Sequence, residues 1–290
     1  MTGFSSVTEV VDAEIAGKTL YRTWRKTPSV VTVAGQSFDL SMSPGVPKPQ
    51  YYASAPGEAA QMSRSLQGGI DHGATVSPET KYLRKITVLS TSAGAVPQRM
   101  ILCDYLMYYP FIDMSDPIVP MVNDVSLPRY SDGEGVQILP VLVAPHSLVG
   151  DFINLSYTNS DGVAGRTLGG SGFVRMQAIS AVNGSILCSG GSGGGGPFLP
   201  LQAGDSGVRS IESAGPFFGT DVGLYTLVLV KPLAEITLRG IDAPTEKDFL
   251  LDAGMKMPEI KDGAYLNFVT TVNGSLSAAP IHGDITFTWT

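Results

Sequence analysis

The chain has 290 residues, of which 43% are hydrophobic and only 16% are charged, and its net charge is −7. This length suits one large β domain or two smaller ones, with enough apolar residues for a sizeable core. A surface so poor in charge is either covered by uncharged polar residues or hidden against neighbours, so the composition favours a subunit of an assembly, with a polar monomer as the alternative. The acidic balance argues against nucleic acid as the main partner, because phosphate contacts need clustered Lys and Arg.

The sequence carries no signal of membrane insertion or export. The first 17 residues contain acids and lack the apolar stretch of a signal peptide. No run approaches the ~18 apolar residues of a membrane-spanning helix. The two cysteines, Cys103 and Cys188, lie in apolar segments. We expect two buried free thiols in a protein made in a reducing cytoplasm, although a disulfide between them stays open.

The first predicted element is a short N-terminal helix. Ser6 and Glu9 have the spacing of a capping box, and Gly17 is placed to end the helix. Four apolar residues follow the cap at helical spacing: Val7, Val10, Val11 and Ile15. This apolar stripe must pack on something, either the chain's own domain or a neighbouring subunit. We predict that its four residues contribute to a subunit interface.

Residues 27–60 are predicted to be extended, because five prolines exclude helix across most of them. Such a segment has little core of its own and is typical of an arm laid over a surface, with a meandering surface loop as the equal alternative. We therefore predict an N-terminal helix and extended arm over residues 1–60 and a β-sandwich domain over residues 61–290. Phe38, Tyr51 and Tyr52 are predicted to join the helix in gripping neighbours.

From about residue 80 the chain alternates between strand-like segments and turns. The strand-like segments are 81–90, 99–109, 135–144, 151–159, 173–180, 223–233, 234–240, 264–272 and 283–290. Segment 99–109 is apolar on both faces, which predicts a position at a sheet centre between layers. Asn183-Gly184 and Asn273-Gly274 are typical of tight hairpins. Roughly ten to twelve strands without intervening helices predict an all-β fold, an antiparallel β-sandwich of the jelly-roll kind.

The strongest break in composition is the glycine-rich segment 189–198. Apolar strands flank it closely, so we interpret it as a loop of the sandwich. A division into two domains near residue 195 is the alternative, since such a composition is also typical of linkers.

The tetrapeptide Gly204-Asp205-Ser206-Gly207 is the one surrounding the nucleophile of chymotrypsin-like proteases. A triad also needs a histidine and a carboxylate, and the three histidines (His72, His146 and His282) lie in contexts unlike those enzymes. Val208 also replaces the second glycine that follows the tetrapeptide in such proteases. We therefore predict a turn into a strand, with Asp205 accepting backbone N–H bonds.

Two places in the sequence carry side-chain oxygen atoms that could act as an unusual acid or as metal ligands. Asp104 lies inside an apolar strand, where its pKa is raised unless it is paired, and Arg99 or Arg175 is the expected partner. Asn159 and Asp161 offer oxygen atoms for a calcium ion, but Asn-Ser-Asp-Gly is far more typical of a plain turn. We predict no catalytic, metal-binding or cofactor-binding residues, and so a protein that is not an enzyme.

Several strings resemble structural proteins of tailed bacteriophages: FDLSMSPGVPKPQYYASAPGEA, GGIDHGATVSP, LCDYLMYYPFIDM, DGEGVQILPVLVA, GGPFLPLQAGDSGVRSIES and LYTLVLVKPL. The resemblance covers residues 38–270 and brings no catalytic residues with it. It implies a virion protein without enzymatic activity, assembled in the host cytoplasm, with other virion proteins as partners.

Within that class we predict an oligomeric head decoration or minor capsid protein that attaches to neighbouring subunits through its N-terminal arm. The alternative is a tail- or neck-associated adaptor, or a receptor-binding jelly roll that recognises a host glycan through loops 158–163 and 189–197. Neither nucleic acid nor membrane is an expected partner of either kind of protein.

Overall fold

A computed structural model of the chain describes residues 3–91, 93–146, 151–176, 183–189, 196–219, 222–241, 243–251, 256–277 and 280–290. The helix α1 spans Val7–Ile15. The strands are β1 Thr19–Lys26, β2 Ser37–Asp39, β3 Gly45–Val46, β4 Ala60–Gln61, β5 Lys81–Ser90, β6 Gln98–Asp113, β7 Val119–Pro120, β8 Gln137–Ala144, β9 Phe152–Asn159, β10 Arg166–Thr167, β11 Phe173–Arg175, β12 Val208–Pro216, β13 Leu224–Leu238, β14 Thr245–Asp248, β15 Glu259–Ile260, β16 Leu266–Val272 and β17 Ile281–Trp289.

These strands form three antiparallel sheets. Sheet A has the order β14-β5-β17-β1-β3, with β15 also paired to β5. Sheet B has the order β2-β16-β6-β13-β8, with β4 on β6, and sheet C has the order β10-β9-β12-β7, with β11 on β9. The predicted all-β antiparallel sandwich is therefore confirmed. The central position predicted for segment 99–109 is also confirmed, since β6 lies between β16 and β13 and is buried on both faces.

The apolar side chains gather into two cores that share sheet B. One core joins sheet A to sheet B, for example Ile285 and Phe287 of β17 with Phe268 of β16. The other joins sheet B to sheet C, for example Tyr105 of β6 with Ile153 of β9. Sheet B is thus the middle layer of the molecule, which is why its strands are apolar on both faces.

Sheet B does not end in free edges at β2 and β8, because residues 184–187 hydrogen-bond to both of these outer strands. On the β8 side, Leu142 N donates to Ser185 O at 2.9 Å and Leu187 N donates to Pro140 O at 3.0 Å. On the β2 side, Asp39 N donates to Gly184 O at 2.8 Å and Ile186 N donates to Ser37 O at 3.0 Å. The segment closes the sheet upon itself in the manner of a barrel.

The hairpin predicted at Asn273-Gly274 does not form, and residues 177–182, which would precede the turn at Asn183-Gly184, lie outside the described residues. Gly184 has φ +96° and begins the closing segment, and a Cβ on it would lie 2.5 Å from the Phe38 ring. Asn273 follows β16 of sheet B, whereas the next strand, β17, belongs to sheet A. The Asn-Gly chemistry produced a turn at each place, but local sequence does not say whether the chain returns to the sheet it left.

Helix α1 forms as predicted, but the chain after it, predicted to include an extended arm over the surface at residues 27–60, supplies strands β1–β4 to sheets A and B. β1 pairs with β17 over eight positions, and β2 pairs with β16. Trp24, Phe38 and Leu40 are buried in the core between sheets A and B. Their apolar side chains explain this placement, since an extended segment that carries them gains more by pairing and burial than by lying outside. Cys103 and Cys188 are buried free thiols, as expected.

Candidate interaction surface

The Gly-Asp-Ser-Gly tetrapeptide forms the turn that leads into β12, and each of its glycines has a structural reason. Gly204 has φ +94°, a left-handed conformation that favours glycine. At Gly207 a Cβ would lie 2.0 Å from the carbonyl oxygen of Gly133, so the two backbones approach more closely than any side chain allows. The motif is therefore required by the packing of two loops.

Asp205 holds this turn together through its carboxylate. It accepts hydrogen bonds from Arg166 Nε at 3.0 Å and Nη2 at 2.9 Å, from the Tyr157 hydroxyl at 2.6 Å and from Asn159 Nδ2 at 2.8 Å. The hydrogen bonds from Arg166, helped by those from Tyr157 and Asn159, lower the pKa of Asp205 to about 2. The capping role predicted for Asp205 is thus replaced by a side-chain network that joins β9, β10 and the turn.

Ser206 has no histidine beside it among the described residues. Its hydroxyl donates to Glu134 and lies 2.8 Å from the Ser160 hydroxyl. His72 is fully buried against the backbone of Ala264, with Nε2 3.0 Å from that carbonyl oxygen, and burial lowers its pKa to about 4. His282 lies on β17 in another sheet. The Ser–His pair of a catalytic triad is therefore not formed in the described part of the chain.

Asp104 is fully buried, and its partner is Arg129 rather than the predicted Arg99 or Arg175. Arg129 Nη2 donates to Oδ1 at 2.7 Å and Nε donates to Oδ2 at 2.8 Å. Oδ1 also accepts from the backbone N–H of Tyr265 at 2.9 Å. Burial raises the pKa of Asp104, while Arg129 and the N–H of Tyr265 oppose that shift. Arg99 pairs instead with Glu235 across β6 and β13.

The loop around Asn159, considered above as a calcium or glycan site, uses its polar groups internally. Asn159 Oδ1 accepts from the N–H groups of Asp161 at 3.1 Å and Val163 at 2.9 Å, which is the geometry of a plain turn. Arg209 donates to the carbonyl of Ser160. Of the second predicted glycan loop, residues 190–195 lie outside the described residues. No group of three or more His, Cys, Asp or Glu with metal-site geometry occurs in the described ranges.

Helix α1 forms as its sequence predicts. Ser6 Oγ accepts from Glu9 N at 3.3 Å, and Gly17 with φ +79° follows the last turn. The Glu9 carboxylate returns to the N–H of Ser5 at 2.6 Å, one residue earlier than a capping box requires. The helix therefore begins with two satisfied backbone donors and ends in a glycine suited to a left-handed turn.

The helix lies on the outer face of sheet A, the face turned away from the core. Glu14 forms an ion pair with Arg84 of β5, 3.2 Å between Oε1 and Nε. Phe4, just before the helix, packs on Tyr82 of β5 with ring centroids 5.6 Å apart. Tyr82 and Arg84 alternate along β5 with the buried Leu83, so they point outward. Val10 and Ala13 are the buried side chains of the helix.

The structure separates the residues predicted as an interface into two groups. Four are exposed: Val7 by 59%, Val11 by 45%, Ile15 by 80% and Tyr51 by 69%. Three are buried within the chain: Val10, Phe38 and Tyr52. Tyr52 donates its hydroxyl to the buried Asp39 at 2.6 Å, so it serves the interior of this chain. What remains on the helix is an apolar stripe of three side chains spaced four residues apart, beside the docked face.

Next to the helix, the outer face of sheet A contains a groove of about 740 Å³. Val46, Pro244 and Pro280 line part of the groove. The other lining residues lie on β1, β5 and β17 or directly after β5: Thr23, Trp24, Arg25, Thr87, Leu89, Thr91, His282, Gly283 and Asp284. Arg25 and Leu89 face each other across His282 in the strand register. The sequence did not predict this groove. Alternation on β17 indicated an outward face, but it did not show which other strands lie beside β17 and line the groove with it.

Among the described residues, no helix is long and apolar enough to cross a membrane.

Comparisons with known proteins do not assign this chain to a family. No family model matches the sequence, and no curated protein matches it. Among solved structures, a mutant VP2 protein of infectious bursal disease virus in T=1 particles is 8% identical, with a TM-score of 0.18 over 93% of this chain and 77% of that chain. A VP2 subviral particle of the same virus is 8% identical, with a TM-score of 0.18 over 94% and 81%. TM-scores this low do not establish a common fold.

Proposed function

We propose that this protein is a non-enzymatic structural component of a tailed-phage virion, specifically an oligomeric head decoration or minor capsid protein. The observation that carries the proposal is the apolar stripe of α1, whose Val7, Val11 and Ile15 are exposed on a helix already docked on its own sheet. The low charge of the chain and the resemblance of its residues 38–270 to phage structural proteins support the same interpretation.

The stripe suits attachment better than catalysis or ligand capture. Full burial of a valine or isoleucine side chain stabilises a contact by roughly 1.5–3 kcal/mol. Three such side chains make a modest contact in one copy, but symmetric repetition turns modest contacts into firm attachment. The polar groups that first suggested chemistry are engaged inside the chain: Ser206 is hydrogen-bonded to Ser160 and Glu134, and Asp205 and Asp104 are each paired with an arginine.

The test replaces the stripe and measures incorporation into particles. A Val7→Asp/Val11→Asp/Ile15→Asp variant is expected to fold normally by circular dichroism, because all three side chains are exposed. It should lose occupancy on the particle, since three carboxylates cannot be buried against an apolar neighbour. Ala16→Asp, an exposed position on the side of the helix opposite the stripe, is the control and should keep normal occupancy.

Three results would count against the proposal. Normal occupancy of the triple variant would show that the stripe does not mediate attachment. Cryo-electron microscopy of the intact particle locates the chain, and density confined to the neck or tail would replace the head role by an adaptor role. Absence of the chain from purified particles would reject the structural role altogether.

A further inference from the structure

The tetrapeptide Val-Asn-Gly-Ser occurs twice in the chain, at residues 182–185 and 272–275. In an Asn-Gly dipeptide the backbone attacks the asparagine side chain readily, because glycine has no Cβ to hinder the amide nitrogen that follows the asparagine. The two copies consist of the same four residues, so their local sequence gives them nearly equal intrinsic reactivity. A difference between them in the folded chain must therefore come from the structure.

At the first copy, the amide nitrogen that would attack is held in the interior. Gly184 is buried, and its N–H donates to the carbonyl oxygen of Leu142 at 2.8 Å. The carbonyl oxygen of Gly184 accepts from Asp39 N at 2.8 Å, and a Cβ on this glycine would lie 2.5 Å from the Phe38 ring. The peptide between Asn183 and Gly184 therefore cannot rotate toward the asparagine side chain unless the closure of sheet B opens locally.

The second copy lies at the surface, in the connection from sheet B to sheet A. Asn273 is exposed, Gly274 is partly exposed, and both directly follow β16. Among the described residues, no hydrogen bond involves the Gly274 N–H or the Asn273 side chain. The carbonyl oxygen of Gly274 accepts from Thr32 Oγ1 at 2.5 Å, and Thr32 Oγ1 accepts from Leu276 N at 3.0 Å. These contacts hold the chain after Gly274 and leave its amide nitrogen accessible.

We propose that Asn273 is a site of spontaneous covalent modification, in which its side-chain amide becomes a carboxylate, and that the fold protects Asn183 from the same reaction. The Gly274 nitrogen, after losing its proton to hydroxide, attacks Cγ of Asn273 and forms a cyclic succinimide, and the side-chain nitrogen leaves as ammonia. Water then opens the ring at either of its carbonyl carbons. Opening at Cγ gives aspartate, and opening at the α-carbonyl carbon gives isoaspartate, in which the chain runs through the former side chain.

The modification changes both the charge and the backbone of the molecule. Each modified copy gains one negative charge, on a chain whose net charge is already −7. Isoaspartate also adds one carbon atom to the backbone directly before Gly274, whose carbonyl oxygen Thr32 binds. The connection between β16 and β17 is therefore the place where ageing alters the folded chain. The reaction consumes only water and needs no partner, so it is independent of the proposed role in the virion.

The test incubates the full wild-type chain at mildly alkaline pH and digests samples with trypsin over time. The two sites fall in separate tryptic peptides, residues 176–209 and 262–290. Mass spectrometry follows the mass increase that accompanies replacement of an amide by an acid. We expect Asn273 to react at least about tenfold faster than Asn183 in the folded chain, because Gly184 must first lose a buried hydrogen bond. In guanidinium chloride, where the fold is lost, the two rates should become nearly equal.

Asn273→Gln is the matched control, because glutamine closes the corresponding ring far more slowly and the position is exposed. The variant should lose the product at residue 273 and keep the slow rate at Asn183. Isoelectric focusing of the intact chain gives an independent readout, a more acidic band that forms in the wild-type chain and is strongly reduced in the variant. Equal rates at the two sites in the folded chain, or a faster reaction at Asn183, would overturn the proposal. An unmodified Asn273 in the folded chain, after an incubation that converts both sites in guanidinium chloride, would overturn it as well.

Discussion

Two arginine–aspartate pairs in this molecule have nearly the same bonding geometry and opposite electrostatic behaviour. Asp104 accepts two hydrogen bonds from Arg129 in the middle of sheet B, where both side chains are almost completely buried, and its pKa is raised. Asp205 accepts two hydrogen bonds from Arg166 at the turn before β12, where the side chain of Arg166 is 25% exposed and that of Asp205 is 3% exposed. The pKa of Asp205 is about 2.

The difference shows that two hydrogen bonds from an arginine do not by themselves determine the direction in which the pKa of a carboxyl group shifts. Burial penalises the charged form of Asp104 more than Arg129 and one backbone N–H favour it. At Asp205 the hydrogen bonds outweigh the penalty of desolvation, because Tyr157 and Asn159 add donors to those of Arg166. An unusual acid in an apolar strand and an acid beside a serine both looked like chemistry in the sequence, and both serve to join segments of the chain.

The largest expected effect comes from removing Arg129, with Arg166 as the comparison. Arg129→Met leaves Asp104 buried without its countercharge and should lower the free energy of unfolding by about 3–5 kcal/mol in urea denaturation. Arg166→Met, the matched change at the turn, should cost less, about 1 kcal/mol, because the arginine is partly exposed and Asp205 keeps hydrogen bonds from Tyr157 and Asn159. Equal costs at the two sites would show that these additional donors do not distinguish the two pairs.

The two glycines of the turn separate close packing from backbone conformation. Gly207→Ala forces a methyl group against the carbonyl of Gly133 and should cost about 3 kcal/mol of unfolding free energy. At Gly204 a Cβ meets nothing within 4 Å, so Gly204→Ala costs only the strain of a positive φ, about 1–2 kcal/mol. If Gly204→Ala were the more costly change, the packing of the two loops would not be what the motif serves.

Acid titration tests the opposite pKa shifts directly. Carbon-13 NMR of the side-chain carboxyls should show Asp205 titrating near pH 2 and Asp104 above the ordinary aspartate range. Because the folded pKa of Asp205 is depressed, its contribution to stability is present above about pH 4 and is lost as the pH falls toward 2. Asp205→Asn should therefore flatten the acid side of the stability profile, and an unchanged profile would contradict the assignment.

The smallest effect is expected at the serine that first suggested a protease. Ser206→Ala removes an exposed hydroxyl that bonds Glu134 and Ser160, and the unfolding free energy should change by no more than about 0.5 kcal/mol. Thermal denaturation checks this, with Asp205→Asn as the contrasting change in the same tetrapeptide. A large loss of stability would place Ser206 in the network that holds the turn.

Sequence reasoning succeeded where the signal was local. The cap at Ser6 and the stripe that follows it predicted α1, and alternation predicted β17 with Ile285 and Phe287 inward. It failed where the answer depended on distant residues. The partner of Asp104 is Arg129, which lies in a loop and reaches the strand only through the tertiary fold.

Residues 1–60 show the same difference between what local sequence predicts and what depends on distant residues. Prolines correctly excluded helix over most of residues 27–60, but they did not reveal that Phe38 and Tyr52 would be buried in the chain's own interior. Burial is decided by what the rest of the sheet leaves uncovered. The groove beside α1 was invisible for a related reason, since its lining comes from strands far apart in sequence.

Closure of sheet B by residues 184–187 has a consequence for how copies of this chain can meet. An unpaired strand edge is a template on which another chain can add its own strand, and such pairing leads to aggregation. Here the outward hydrogen-bonding groups of both β2 and β8 are occupied by one short segment of the same chain. The outer strands β2 and β8 of this apolar sheet are thereby blocked, over the positions that residues 184–187 occupy, from pairing edge to edge with another copy.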